Sequence, residues 1–290
     1  MLRTESDPPP SPANRWLKST EWLVEHLRDR DVVAVDASYF LPTQKRDGHA
    51  EYRNGHIPGA VFFDIEAVCD DSTDLPHMLP GSTQFGEAAG ALGISDGDTI
   101  VVYDCQGLYS AARVWWTFRI FGAKSVFILD GGLPKWKAEG RPIETGDTQR
   151  PPKQFHAEMD IGPVAMLADV RMALTDRSAQ IVDARSAERF AGTAPEPRPG
   201  LRSGHMPGSF NVPFQAVLEN GRLVSRERIE AAFSAAGVDL DQPIITSCGS
   251  GVTAAILTLA LDSIGKSALR LYDGSWSEWG SRPDVPVERG

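Results

Sequence analysis

The sequence is poor in cysteine. Its three thiols, Cys69, Cys105 and Cys248, are too few and too scattered for a disulfide framework, and none has a second Cys or a His at metal-ligand spacing, which argues against a zinc site. Basic residues are short as well. Twenty-nine Lys and Arg stand against 39 Asp and Glu, a net charge of −10, and they form no cluster that could neutralise a run of phosphates, so no nucleic-acid partner is expected. No stretch approaches the ~18 unbroken apolar residues of a membrane span, so no membrane association is expected either. The first residues carry Asp7-Pro8-Pro9-Pro10 and Ser11-Pro12 without an apolar core. They read as a disordered tail over residues 1–15 rather than a secretory signal, and cytoplasmic residence is the expectation. In a reducing compartment a lone thiol is usually a small buried hydrophobe, so a reactive role needs a specific local reason.

What is present is a repeat. At roughly 150 residues per domain the chain has room for two, and its halves match. Val32-Val33-Ala34-Val35-Asp36-Ala37 corresponds to Ile181-Val182-Asp183-Ala184-Arg185. Each is followed by a Gly-His-x-Pro-Gly turn, Gly55-His56-Ile57-Pro58-Gly59 and Gly204-His205-Met206-Pro207-Gly208. The run Thr99 to Cys105 corresponds to Pro243 to Cys248, and Cys105 precedes Asp130 by the same 25 residues that separate Cys248 from Asp273. Short apolar β-type runs alternate with helical stretches in each half, the pattern of βα units around a mainly parallel sheet flanked by helices. The fold class is therefore α/β, with two tandem domains over residues 16–141 and 161–290. The Pro- and Gly-rich residues 142–160 read as the linker.

Cys248-Gly249-Ser250-Gly251-Val252-Thr253-Ala254 lies where a buried strand gives way to a helix. In a parallel α/β sheet the carboxyl ends of the strands face the ligand crevice, and the N–H groups that open a helix point at whatever lies before it. A thiolate there gains donors and a favourable field, which prepares it as a nucleophile. Gly249 and Gly251 let the backbone curl around the sulfur. A phosphatase cradle would place an Arg where Ala254 stands, so phosphatase chemistry is disfavoured. His205 could serve as a base, but it has a counterpart in His56, and a shared structural role is the simpler account. Asp36 and Asp183 end matching strands and read as fold residues for the same reason, and Trp115, Trp116 and Phe118 read as packing.

The Cys248 loop, the paired Gly-His-x-Pro-Gly turns and the closing Tyr272-Asp273-Gly274-Ser275-Trp276-Ser277-Glu278-Trp279 resemble the tandem-domain rhodanese superfamily over nearly the whole chain after about residue 16. Within it the resemblance is greatest to the branch that takes sulfur from 3-mercaptopyruvate. It implies two rhodanese-like domains, an inactive N-terminal copy and a catalytic C-terminal copy whose Cys248 accepts sulfur as a persulfide, with no cofactor. Members that use thiosulfate carry Cys-Arg-Lys-Gly-Val-Thr in the loop. Gly249 and Ser250 supply no cation here, so a monoanionic 2-oxo acid is the better match. The resemblance assigns Arg189 and Arg198 to the donor's carboxylate, and Gly249, Gly251, Val252 and Thr253 to the loop around it. It implies a proton-transfer group of Ser250, His56 and Asp47. The acceptor would be cyanide, a small thiol or a thioredoxin-like protein. Two alternatives stand beside this reading, a thiosulfate:cyanide sulfurtransferase and a persulfide relay or binding module without turnover. Cys105 is expected to be a packed thiol in the inert copy and Cys69 a bystander.

Overall fold

The computed structural model describes residues 14–290, so most of the expected tail lies outside the described residues. Asn14 and Arg15 belong to the packed structure. Arg15 pairs with Asp262, and Trp16 Nε1 donates to the same carboxylate at 2.7 Å.

The first copy is a five-stranded sheet of β1 (Leu17–Lys18), β2 (Val32–Asp36), β3 (Val61–Phe62), β4 (Thr99–Tyr103) and β5 (Ser125–Leu129), in the order β1-β5-β4-β2-β3. The second contains β6 (Val164–Ala165), β7 (Gln180–Asp183) and β8 (Phe210–Asn211), then a short antiparallel hairpin of β9 (Leu218–Glu219) and β10 (Arg222–Leu223), then β11 (Ile244–Ser247) and β12 (Leu269–Tyr272). Its main sheet runs β6-β12-β11-β7-β8, the order of the first sheet strand for strand, and every pairing in both is parallel. Helices cover both faces, which is why β2 and β11 are buried at every position instead of alternating.

The helices that follow the two Cys loops, Ala111–Ile120 and Ala254–Ser263, pack against each other between the sheets. Both are buried nearly all round, as a helix is when it has no solvent face. Trp115, Trp116 and Phe118 are part of this seam and its flanking core. The seam sets the copies with the carboxyl ends of β4 and β11 on one cleft. Residues 142–160 cross the first copy in close contact with it. His56 and Glu144 exchange backbone hydrogen bonds at 2.9 Å, Lys153 Nζ reaches Asp98 at 2.7 Å, and Phe155 stands edge-on to Phe85 at 5.3 Å. No helix among the described residues is long and apolar enough to cross a membrane.

Candidate active site

The Cys248 loop is gripped from behind. Cys248 N–H donates to Ser275 Oγ at 3.2 Å, Trp276 N–H donates to the Cys248 carbonyl at 2.9 Å, and Ser277 donates its N–H and Oγ to the Gly249 carbonyl at 2.8 and 2.7 Å. Through these contacts the turn after β12 fixes the loop after β11. Among the described residues, no protein acceptor takes the N–H groups of Gly249 to Thr253. They are left for a ligand at the sulfur, the arrangement that stabilises a developing negative charge.

The loop opens on a cleft of about 550 Å³ between the copies, lined by Cys248, Gly249, Ser250, Val252 and Thr253 on one side and by Tyr39, Leu108 and Tyr109 of the first copy on the other. Arg189, on the short helix Ala187–Phe190, holds its Nη2 at 2.5 Å from Glu196, and a Cβ on Gly249 would lie 3.1 Å from that same nitrogen. Arg198 also lines the cleft and donates to Tyr39 Oη at 3.3 Å. Behind them Arg185 is fully buried. It bonds Asp183 through two nitrogens, reaches Glu196 at 2.8 Å and lies 4.2 Å over the Trp276 ring. Glu196 is thus shared by Arg185 and Arg189. Gly251 does not line the cleft; it turns beneath the loop at φ +76, with Arg113 filling the space a side chain would need.

Ser250 is 4% exposed, and its Oγ lies 3.2 Å from Nδ1 of His77, a residue the sequence reading passed over. His77 arrives from the first copy at φ 61 with its ring buried, and its Nε2 is 3.9 Å from Glu66. Burial pushes its pKa below the ordinary histidine value, the nearby Glu66 carboxylate opposes this, and Arg198 and Arg113 reinforce it, so the ring is neutral at pH 7.

The expected group of Ser250, His56 and Asp47 does not assemble. The His56 ring is used up locally, with Nδ1 donating to the Tyr52 carbonyl at 2.9 Å, Nε2 at 3.1 Å from Thr148 Oγ1 and the ring stacked on Tyr52 at 4.0 Å. His205 does the same in the second copy, bonding the Phe190 carbonyl at 2.8 Å and stacking on Phe190 at 3.9 Å. The repeated histidines brace their turns. Asp47 caps the helix Gly48–Asn54 by accepting from Ala50 N–H at 3.0 Å, a surface role. A usable signal for His77 did exist: His77-Met78-Leu79-Pro80 has no counterpart in the second half, whereas the turn histidines come in a pair.

The other two thiols lie outside this loop, and their surroundings hold them protonated. Burial first, then the carboxylates of Asp104, Asp36 and Glu51, push the Cys105 thiol up to about 11 against a hydrogen bond with Ser38. Burial and four nearby carboxylates, led by Asp64, raise Cys69.

A family model described as a rhodanese-like domain matches this chain twice, at residues 19–139 and 152–282. The 3-mercaptopyruvate sulfurtransferase of Escherichia coli strain K12 is 46% identical over 274 residues, covering 94% of this chain and 98% of that protein. Thiosulfate/3-mercaptopyruvate sulfurtransferase 1, mitochondrial, of Arabidopsis thaliana is 41% identical over 292 residues, 93% of this chain and 77% of that protein. The crystal structure of SseA, the 3-mercaptopyruvate sulfotransferase of Escherichia coli, matches with a TM-score of 0.84 at 43% identity, over 90% of this chain and 98% of that one.

Proposed function

The chain belongs to the rhodanese-like family, and we propose that it is a sulfurtransferase that carries the sulfur of 3-mercaptopyruvate to a thiol or cyanide acceptor through a persulfide on Cys248, releasing pyruvate. The observation that carries this reading is the pairing of the arginines around the thiol. Among the described residues, Arg185 and Arg189 are in ion-pair contact with Asp183 and Glu196, whereas Arg198 has no carboxylate in contact and feels Glu66 only at longer range, which leaves its guanidinium open to a donor's carboxylate. One cation suits a monoanionic 2-oxo acid; a dianion such as thiosulfate would need a second, which the Gly249-Ser250 loop does not supply.

The donor's carboxylate then lies on Arg198, steadied by Arg189, with its sulfur over the N–H groups of Gly249 to Thr253. The Cys248 thiolate attacks that sulfur. The S–S bond forms as the S–C bond breaks, and the electron pair passes to carbon as the enolate of pyruvate. A proton must reach that carbon, and Ser250 with neutral His77 is the group placed to move the donor's thiol proton there, with Glu66 steadying the imidazole as it charges. The persulfide that remains is opened by the acceptor, a small thiol, cyanide in an assay or a thioredoxin-like protein in a cytoplasmic setting. No step calls on a cofactor.

The test is sulfur release by wild type and Cys248→Ser, with 3-mercaptopyruvate and with thiosulfate, followed by intact mass. Preference for 3-mercaptopyruvate with a ~32 Da adduct that requires Cys248 is expected. Preference for thiosulfate would overturn the donor assignment, and an adduct without turnover on either donor would make the protein a relay module.

A further inference from the structure

Resting on that reading, we propose that the buried Arg113–Asp273 ion pair is a positioning device for proton delivery, holding the His77 backbone from the opposite copy so that its imidazole meets Ser250. Arg113 sits on the helix Ala111–Ile120 of the first copy. Its Nη2 donates both to Asp273 Oδ1 and to the His77 carbonyl, each at 2.6 Å. Asp273, in the turn after β12 of the second copy, accepts the Leu79 N–H on its other oxygen at 2.8 Å. One ion pair therefore fastens residues 77 and 79 at once, while His77 is kept in a left-handed conformation that a side chain holds only under constraint.

The pair's location argues for geometry over bulk stability. Its side chains are 3% and 2% exposed, and a buried ion pair gains little over a well-packed apolar pair. Asp130, the counterpart of Asp273 in the first copy, pairs instead with the half-exposed Arg222 and holds no histidine loop. Both aspartates reach across to the other copy, but only Asp273 does so from a buried position and onto the His77 segment. The charged and titratable groups around His77 are then Glu66 beside Nε2, Arg198 and Tyr39 at the cleft, and the Arg113–Asp273 pair behind the backbone.

The two donors separate positioning from mere structure. Loss of pyruvate's enolate needs a proton on carbon, whereas sulfite leaves thiosulfate as a stable anion. Single-turnover formation of the Cys248 persulfide is therefore measured with each donor for wild type, Asp273→Asn, Arg113→Lys, His77→Ala and the double variant Asp273→Asn/His77→Ala, with thermal melting to confirm folding. Asp273→Asn is expected to slow loading from 3-mercaptopyruvate by about 10- to 100-fold, the cost of a misplaced catalytic group, and loading from thiosulfate by less than about threefold. It should add almost nothing to His77→Ala. Arg113→Lys keeps the charge but loses the reach of the planar guanidinium that sets Nη2 against both acceptors, and should fall between; it carries the test if Asp273→Asn does not fold. Equal losses on both donors, or losses that multiply in the double variant, would overturn the proposal. A wild type that takes no sulfur from 3-mercaptopyruvate would instead overturn the function it rests on.

Discussion

Replacing Gly251 with Ala should disable the site from below. Gly251 sits at φ +76, where a Cβ costs about 1–2 kcal/mol. That Cβ would also lie 2.6 Å from Arg113 Nη1. A flexible side chain could retreat, but this guanidinium is tied through its other nitrogen to Asp273 and to the His77 carbonyl, so the strain falls on the loop. Overpacking of this kind adds about 1–3 kcal/mol, and a shift of the order of 1 Å in Cys248 or Ser250 lowers turnover by about 10²-fold. Gly265 supplies the control. It too is left-handed, at φ +92, but nothing lies within 4 Å of its missing Cβ, so Gly265→Ala carries the backbone cost alone and keeps normal kinetics. Urea unfolding and steady-state rates with 3-mercaptopyruvate compare the two. If Gly251→Ala matches Gly265→Ala in both, the packing of Arg113 against the loop is not what fixes it.

The two histidines should part company. His77→Ala is expected to lower kcat with 3-mercaptopyruvate by about 10²–10⁴-fold, whereas His56→Ala should cost about 1–3 kcal/mol of stability with kcat/KM little changed; the reverse pattern would restore His56 to the proton path. Arg198→Met removes the arginine that has no carboxylate in ion-pair contact among the described residues and should raise KM more than Arg189→Met does, because Arg189 is already held by Glu196; initial rates over a range of 3-mercaptopyruvate decide it, and equal effects would refute the assignment of the donor's carboxylate to Arg198. Asp36 is buried with one oxygen unpartnered, and burial pushes its carboxyl from 3.8 to about 6. The native state therefore holds the proton more tightly than the unfolded chain, and stability should fall by about 3 kcal/mol as pH rises from ~4 to ~6. Asp36→Asn should flatten that slope in urea titrations, and an unchanged slope would assign it to another group.

Much of this was legible because duplication writes the architecture twice. A continuous apolar run such as Ile100-Val101-Val102 is ambiguous alone, but its recurrence before a second Cys and the same distance from a second Asp-Gly turn shows the βα units and their order. The nucleophile loop could be read because its chemistry is local: strand end, Cys, glycines and helix start are contiguous. The proton path could not. His77 and Ser250 are 173 residues apart and meet only through packing of the two copies. His56 stood out in the sequence because it was repeated, and repetition marked it as a brace. Arg185 escaped for a related reason, since its charge is spent inside the protein on Asp183 and Glu196 and nothing local distinguishes it from a surface arginine.

The same comparison gives a physical reason for the inert first copy that the proposed function requires. The residue immediately before each cysteine differs, Asp104 in the first copy and Ser247 in the second. Asp104 is fully buried, and its carboxylate accepts the N–H groups of Gln106 at 2.8 Å, Tyr109 at 2.7 Å and Ala111 at 2.9 Å. The donors that would greet a thiolate at Cys105 are thus already occupied by a carboxylate, which also raises the thiol through its own charge. In the second copy Ser247 makes no such demand, and the N–H groups after Cys248 stay open. Ser38 likewise stands where the second copy has Arg185, so the first copy lacks the buried cation that shares Glu196 with Arg189. What it contributes instead is a wall for the other copy's cleft, with Tyr39, Tyr109, His77 and Arg113 all reaching across the seam. On the proposed mechanism the first copy could not be removed without removing the proton path, because Cys248 and Ser250 come from one half of the chain and His77 from the other.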